Sequence, residues 1–133
     1  MQGLLAADLT THVLRDLTRG GLAAALVEIA RDRGLRLHVE GRSIPVREDV
    51  RGACEILGLD PLYVANEGRF IAVLPENQAE RAVALLRGDE LGRGAAIIGR
   101  VMDEARGLVT MTSEIGSTRV VDLLSGEQLP RIC

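Results

Sequence analysis

Apolar and polar residues follow two periods along this chain. Leu22, Leu26, Ile29 and Ala30 fall at helical spacing and predict a helix from about Gly20 to Arg33. Gly34 follows it, the residue best suited to the left-handed turn that closes a helix. Leu35, Leu37 and Val39 then alternate with Arg36, His38 and Glu40, the pattern of a half-buried strand with His38 turned to solvent. Ahead of the helix, Thr11–Arg15 reads as a short strand with His12 at its edge, and residues 3–9 as a short helix ending something longer. Val50, Ala53, Cys54 and Leu57 make a second helical stripe between Pro45 and Gly58, where Cys54 suits a small buried thiol. Asp60-Pro61 marks a turn. The unbroken apolar run Phe70–Leu74 predicts a central strand. Ala79, Ala82, Val83 and Leu86 give a third helix. Ala95–Met102 and Leu108–Thr112 are expected to pair as a hairpin around Gly107, with a last strand at Thr118–Leu123.

Strands and helices mixed in this order, with an antiparallel pair, argue for an α+β fold: a mixed β-sheet with helices packed on a face. The 133 residues suit one domain, at 1–124. The stretch 125–133 has no period and contains Gly126 and Pro130, so it is expected to be a flexible tail. Aromatic residues make up only 2% of the chain, which leaves the core to Leu, Ile, Val and Ala. Charges of both signs are interspersed to a net −3, unlike the basic footprint of a nucleic-acid binder. No run approaches the roughly 20 apolar residues of a membrane span, and no secretory signal pattern is present, so the expected setting is cytoplasmic. All basic residues apart from His12 and His38 are arginine, so any chemistry that needs a lysine amine must come from elsewhere.

Three places could carry chemistry. Thr18-Arg19-Gly20-Gly21-Leu22 opens the first helix, with Thr18 as a candidate N-cap and two glycines that allow close approach of a ligand. Free N–H groups, the helix dipole and Arg19 suit an anion such as phosphate there. A glycine-eased helix start with a surface arginine is the plainer reading, and spacing alone favours it. In Leu59–Gly68, Asn66 and Glu67 precede a glycine on the approach to a strand; a carboxylate there could accept a proton, or simply face water. Cys133, the last residue, has a thiol at the end of a swinging arm, whose pKa the adjacent carboxylate would raise and Arg131 would lower; standing alone it would read as an accidental cysteine on a floppy tail. Neither cysteine has metal-ligand spacing, so no metal site is expected.

In their order and spacing these pieces resemble the C-terminal domain of the HypE family of hydrogenase maturation factors, which is PurM-like and related to AIR synthase. The resemblance rests on Asp16-x-Thr18-Arg19-Gly20-Gly21-Leu22, on Gly58-Leu59-Asp60-Pro61 leading to Ala65-Asn66-Glu67-Gly68, and on the terminal Pro130-Arg131-Ile132-Cys133. It covers essentially the whole chain, and the Pro-Arg-Ile-Cys end is its most specific part. The Thr-x-Gly-Gly element is shared more widely, with the aminoimidazole ribonucleotide and selenophosphate synthetases. Leu17 departs from the family's usual proline, which should loosen the loop entering the helix.

The resemblance implies a specific chemistry. A carbamoyltransferase, HypF, would load a carbamoyl group onto Cys133; ATP-driven dehydration would turn it into a thiocyanate; and the cyanide would pass to an iron on a HypC–HypD scaffold. It further implies that Glu67 is the base and that Asp16, Thr18, Arg19, Gly20, Gly21 and Asn66 lie toward the nucleotide. ATP and Mg2+ would be bound mainly by an N-terminal domain that this sequence does not contain, in a homodimeric full-length protein. This chain would then be a separated C-terminal domain, inactive alone. Two other readings remain: the C-terminal half of another PurM-like synthetase or kinase, and a non-catalytic anion-binding module.

Overall fold

The structure, a computed structural model, describes residues 7–104 and 106–123. The elements run β1 (Val13–Leu17), α1 (Gly21–Arg33), β2 (Arg36–Glu40), α2 (Glu48–Leu57), β3 (Asn66–Val73), α3 (Glu76–Arg87), β4 (Gly99–Met102), β5 (Leu108–Thr112) and β6 (Thr118–Val121). A four-stranded mixed sheet has the order β4-β2-β5-β6, and β1 pairs with β3 in a separate antiparallel ribbon.

The fold is built around α1, which packs against strands of both sheets. That position explains its composition. A helix covered by two sheets cannot afford a wide polar face, and nine of its residues, from Gly21 to Ala30, are buried. Three successive alanines, Ala23, Ala24 and Ala25, let the strands approach closely. Leu22 and Leu26 join Leu37 and Val39 of β2, Val109 and Met111 of β5 and Val121 of β6 in the core. Leu26→Ala is expected to cost about 3 kcal/mol, since a void left between two sheets collapses poorly; urea unfolding measures it. Gly34 closes α1 in the left-handed conformation, with φ 63°, and its N–H reaches back to the carbonyls of Ala30 and Arg31. Gly58 ends α2 in the same way, with φ 67°. At the start of α2, the Arg47 guanidinium hydrogen-bonds the Asp49 carboxylate at 3.0 Å and holds its pKa below the ordinary value.

Several expectations are corrected. The first strand lies at Val13–Leu17, two residues beyond its expected place. Residues 7 and 8 form a turn and not a helix, and 1–6 lie outside the described residues. The strands β4 and β5 do not form a hairpin. Both pair with β2, β4 antiparallel and β5 parallel, so β2 lies between them. The alternation in β2 is the reason: Leu37 and Val39 are buried on one face, and a strand flanked on both sides is where such a pair is best covered. The true hairpin is β5–β6, turned through Ser113–Ser117 with a Ser113–Ser117 hydroxyl contact of 2.7 Å.

The Phe70–Leu74 run is not central; β3 is hydrogen-bonded only to β1 and its apolar residues are half-buried. On α2, Cys54 is buried as expected, but Val50, Ala53 and Leu57 of the same stripe are exposed. His38 is only partly open to solvent. Its Nδ1 lies 2.9 Å from the Thr110 hydroxyl, and its Nε2 lies 3.1 Å from that of Thr112 and 3.2 Å from the Glu40 carboxylate. Sequence alternation assigned its face correctly and could not see the threonines that β5 brings beside it.

Candidate functional site

The glycine pair at the start of α1 is held by backbone geometry. Gly20 and Gly21 both have positive φ, 76° and 61°, a conformation that costs residues with a Cβ. Gly20, and not Thr18, is the N-cap, and no side chain caps the helix. Thr18 serves through its backbone: its carbonyl accepts from the Gly21 N–H at 3.1 Å, while the Gly20 carbonyl accepts from Ala24. No acidic residue stands in the first turn of α1. With Arg19 exposed next to it, that end of the helix is electropositive.

What fills the space beside the glycines is the chain itself. A Cβ on Gly21 would lie 2.5 Å from the Val64 carbonyl oxygen and 2.7 Å from that of Leu62. The second motif is therefore seated on the first. The 3-10 turn Pro61–Tyr63 is fixed by Asp60, whose carboxylate accepts the Leu62 N–H at 3.0 Å. The other Asp60 oxygen takes Arg119 of β6 at 2.8 Å. Tyr63, the only tyrosine of the chain, donates its hydroxyl to the Asp122 carbonyl at 3.0 Å. Sequence reading saw only a turn at Asp60-Pro61. Partners 59 residues away leave no local signal.

Beyond this turn the chain enters β3, and the β1–β3 register breaks. Asp16 lies opposite Phe70, but Leu17 lies opposite Asn66. Glu67, Gly68 and Arg69 are thus extra residues that bulge from the ribbon, with Gly68 at φ 80°. The bulge carries Glu67 exposed beside the approach to Thr18. Asp16, Thr18, Arg19, Gly20 and Gly21 are therefore gathered with Asn66 and Glu67 at one end of the β1–β3 ribbon. Cys133 lies outside the described residues, as does the rest of the expected tail.

Next to this end opens a cavity of about 630 Å3 with apolar walls that include Leu22, Val39, Phe70 and Ala82. Asn66 and Glu67 stand among its lining residues, whereas Thr18, Arg19, Gly20 and Gly21 do not. The arrangement offers an exposed carboxylate between an apolar hollow and an electropositive loop. Such a site can hold an anion on one side and take a proton on the other. Among the described residues no group of three or more His, Cys, Asp or Glu side chains could hold a metal ion. None of their helices is long and apolar enough to cross a membrane.

Comparison with known proteins places this geometry. Residues 3–112 match the family "AIR synthase related protein, C-terminal domain". The carbamoyl dehydratase HypE of Azotobacter vinelandii is 53% identical over the whole chain, which spans 40% of that protein. The HypE of Rhodobacter capsulatus is 50% identical, again over the whole chain and 39% of its own length. The chain thus spans about two fifths of the curated relatives it matches. Among solved structures, a HypE hydrogenase maturation protein superposes with a TM-score of 0.91 at 48% identity, covering 99% of this chain and 43% of that one. A HypE in complex with ATP gives 0.88 at 48% identity, over 98% of this chain and 40% of that one. A HypE–HypF complex gives 0.83 at 36% identity, over 92% and 39%. Matched in sequence from end to end and in overall fold, this chain belongs to the AIR synthase related family, as a C-terminal domain of the HypE type.

Proposed function

We propose that this chain is the carrier domain of a carbamoyl dehydratase, in which Cys133 holds a carbamoyl group while it is dehydrated to a thiocyanate. The observation that carries the reading is the whole-chain match to proteins named carbamoyl dehydratase, which takes in the terminal Pro-Arg-Ile-Cys. The carbamoyl donor would be a HypF-type carbamoyltransferase; a HypE–HypF complex is among the similar structures. The acceptor of the cyanide would be an iron held on a HypC–HypD scaffold, in the cytoplasm, as part of [NiFe]-hydrogenase assembly.

The residues suit the chemistry. The thiol of Cys133 gives up its proton and attacks the carbamoyl carbon on the donor; the S–C bond forms as the bond from that carbon to the donor's oxygen breaks, and the donor leaves with that oxygen. Converting S–C(=O)–NH2 to S–C≡N removes one oxygen and two protons from the amide. ATP supplies a phosphoryl group that lets the oxygen leave as phosphate. Glu67, exposed on its bulge, would take a proton from the amide nitrogen. Arg19 and the uncapped start of α1 would stabilise the phosphate charge, with Thr18 and Gly20 shaping the loop. Gly21 acts through packing, because its N–H is already given to Thr18. Asp16 and Asn66, on the two strands that flank the bulge, would orient the nucleotide from either side. The nucleotide fits this electropositive end. Mg2+ does not find a ligand set among the described residues. In our reading an N-terminal domain, in a homodimer, supplies the metal ligands and most of the nucleotide site.

The test is intact mass after incubation with the carbamoyltransferase and carbamoyl phosphate. One carbamoyl adduct is expected, mapping to Cys133 and absent from a folded Cys133→Ala variant. An adduct elsewhere, or none, overturns the carrier role. Alone, this chain is expected to accept the carbamoyl group and to leave ATP unhydrolysed.

A further inference from the structure

The apolar cavity beside the candidate site runs along two strand edges, and that sets what it can hold. Every residue from Asn66 to Leu74 lines it, and so does every residue from Gly94 to Val101. Side chains of a strand alternate between its faces, so a hollow that meets each residue in turn lies along the strand's edge. Both edges are open among the described residues. β3 pairs only with β1, and β4 ends its sheet with β2 as its one neighbour.

The ladder shows which groups of β4 face the hollow. The Ile98 carbonyl accepts the Glu40 N–H beside β2 at 2.8 Å. Backbone groups alternate in direction along an antiparallel strand, so Arg100 and Met102 also face β2, while Gly99 and Val101 point away. Their N–H and C=O groups form the unpaired row on which a further strand can add. The side chains alternate as well. Val101, paired with Leu37, lies on the side of the sheet that Leu37 and Val39 bury, and Arg100 lies on the other, opposite His38. Val101 is still 39% exposed, and Ile97 just before the strand 43%. Charge at the hollow has one dominant sign: Arg47, Arg69 and Arg100 line it, with Glu67 as the only carboxylate. Arg47 is tied to Asp49, whereas Arg69 and Arg100 have no carboxylate partner among the described residues.

We propose that the hollow is a docking slot for an extended segment of a separate protein, added as a strand to β4 and alternating apolar with acidic side chains. The backbone of β4 sets the register, the apolar walls cover one set of side chains, and the unpaired arginines attract the other. The volume of about 630 Å3 lies within the roughly 300–1,000 Å3 usual for a binding pocket, enough for a segment of a few residues. Neither Cys133 nor carbamoyl chemistry enters, so the slot stands or falls apart from the carrier reading.

The probe is a fluorescein-labelled heptapeptide that alternates valine and glutamate, titrated onto the whole chain and followed by anisotropy. Saturable binding is expected, and a version with lysine in place of glutamate should bind about tenfold more weakly or worse. Arg69→Glu combined with Arg100→Glu should weaken the glutamate peptide by about the same factor. Val101→Pro removes an outward N–H and no bond to β2, so it should weaken binding about five- to tenfold. N-methylation of the peptide amides makes the matching change on the ligand, with the protein untouched, and should abolish binding. In amide exchange, Gly99 and Val101 should gain protection when the peptide is bound. Absence of binding would overturn the proposal. Binding that leaves those two amides unprotected would mark an association by charge alone and overturn strand addition. So would a chain already dimeric in sedimentation before peptide is added, which would put a second copy on the edge. A chimaera with the remaining N-terminal part of the Azotobacter vinelandii relative should bind equally well; loss of binding there would show the slot filled from within, and would also overturn it.

Discussion

Replacing Gly21 with alanine should destabilise this domain by about 3 kcal/mol or more, measured as a shift in the urea midpoint at constant slope. Two costs add. The left-handed backbone, at φ 61°, is unfavourable for any residue with a Cβ. The added carbon would also lie 2.5 Å and 2.7 Å from two carbonyl oxygens of the backbone at Val64 and Leu62. A flexible side chain could swing away; a 3-10 turn pinned by Asp60 cannot. Relief requires the turn to lift off α1, which opens the seam between the two motifs. Gly34→Ala is the matched control. Its φ is 63° but nothing lies within 4 Å of the added carbon, so only the backbone cost of about 1 kcal/mol remains. The difference between the two variants isolates the contact. If they proved equally costly, Gly21 would be a conformational glycine only, and the seating of one motif on the other would not matter to stability.

That contact also marks the limit of what could be read from sequence. The periods of α1 and β2 were legible because their burial is set locally. A helix with Leu22, Leu26, Ile29 and Ala30 on one side and a strand alternating at Leu37 and Val39 have few other places to go. Pairing was less legible. Adjacent strands separated by a glycine turn suggest a hairpin, and at β5–β6 that logic holds. At β4–β5 it fails, because β2 claims both neighbours from 60 or more residues away. For the site, the residue types were legible and their roles were not. Thr18 has the chemistry of an N-cap, yet a second glycine shifts the cap to Gly20 and leaves Thr18 to work through its carbonyl. The glycines, read as room for a ligand, are occupied on one side by the turn of the other motif. The bulge that exposes Glu67 follows from a register break between Asp16 and Leu17, which no property of either segment alone would reveal. Leu17 itself is buried in the core and paired with Asn66. Its side chain anchors the loop through packing.

Glu67→Gln should separate loading of the carrier from dehydration. The substitution keeps the size of the side chain and the exposed bulge on which it stands. It removes the capacity to take a proton from the amide nitrogen. Loss of a positioned base typically lowers a rate by about 10² to 10⁴, and here two protons must leave the same nitrogen before a nitrile can exist. Loading of Cys133 needs no base at position 67, so the carbamoyl adduct should form at the wild-type rate and then persist. The assay requires the nucleotide-binding portion, which a chimaera can supply by joining the remaining N-terminal part of the Azotobacter vinelandii relative to this chain. With ATP present, the parent chimaera should lose the mass of one water from the adduct and gain a nitrile stretch in the infrared. The variant should do neither on the same timescale. Dehydration at an undiminished rate would remove Glu67 from the mechanism, and the proton would then have to leave by way of water or a group outside this chain. A variant that also fails to accept the carbamoyl group would place Glu67 in partner recognition instead. On the proposed reading the thiol and the carboxylate, 66 positions apart in the sequence, act at one site, and retained loading with lost dehydration is the pattern expected of that arrangement.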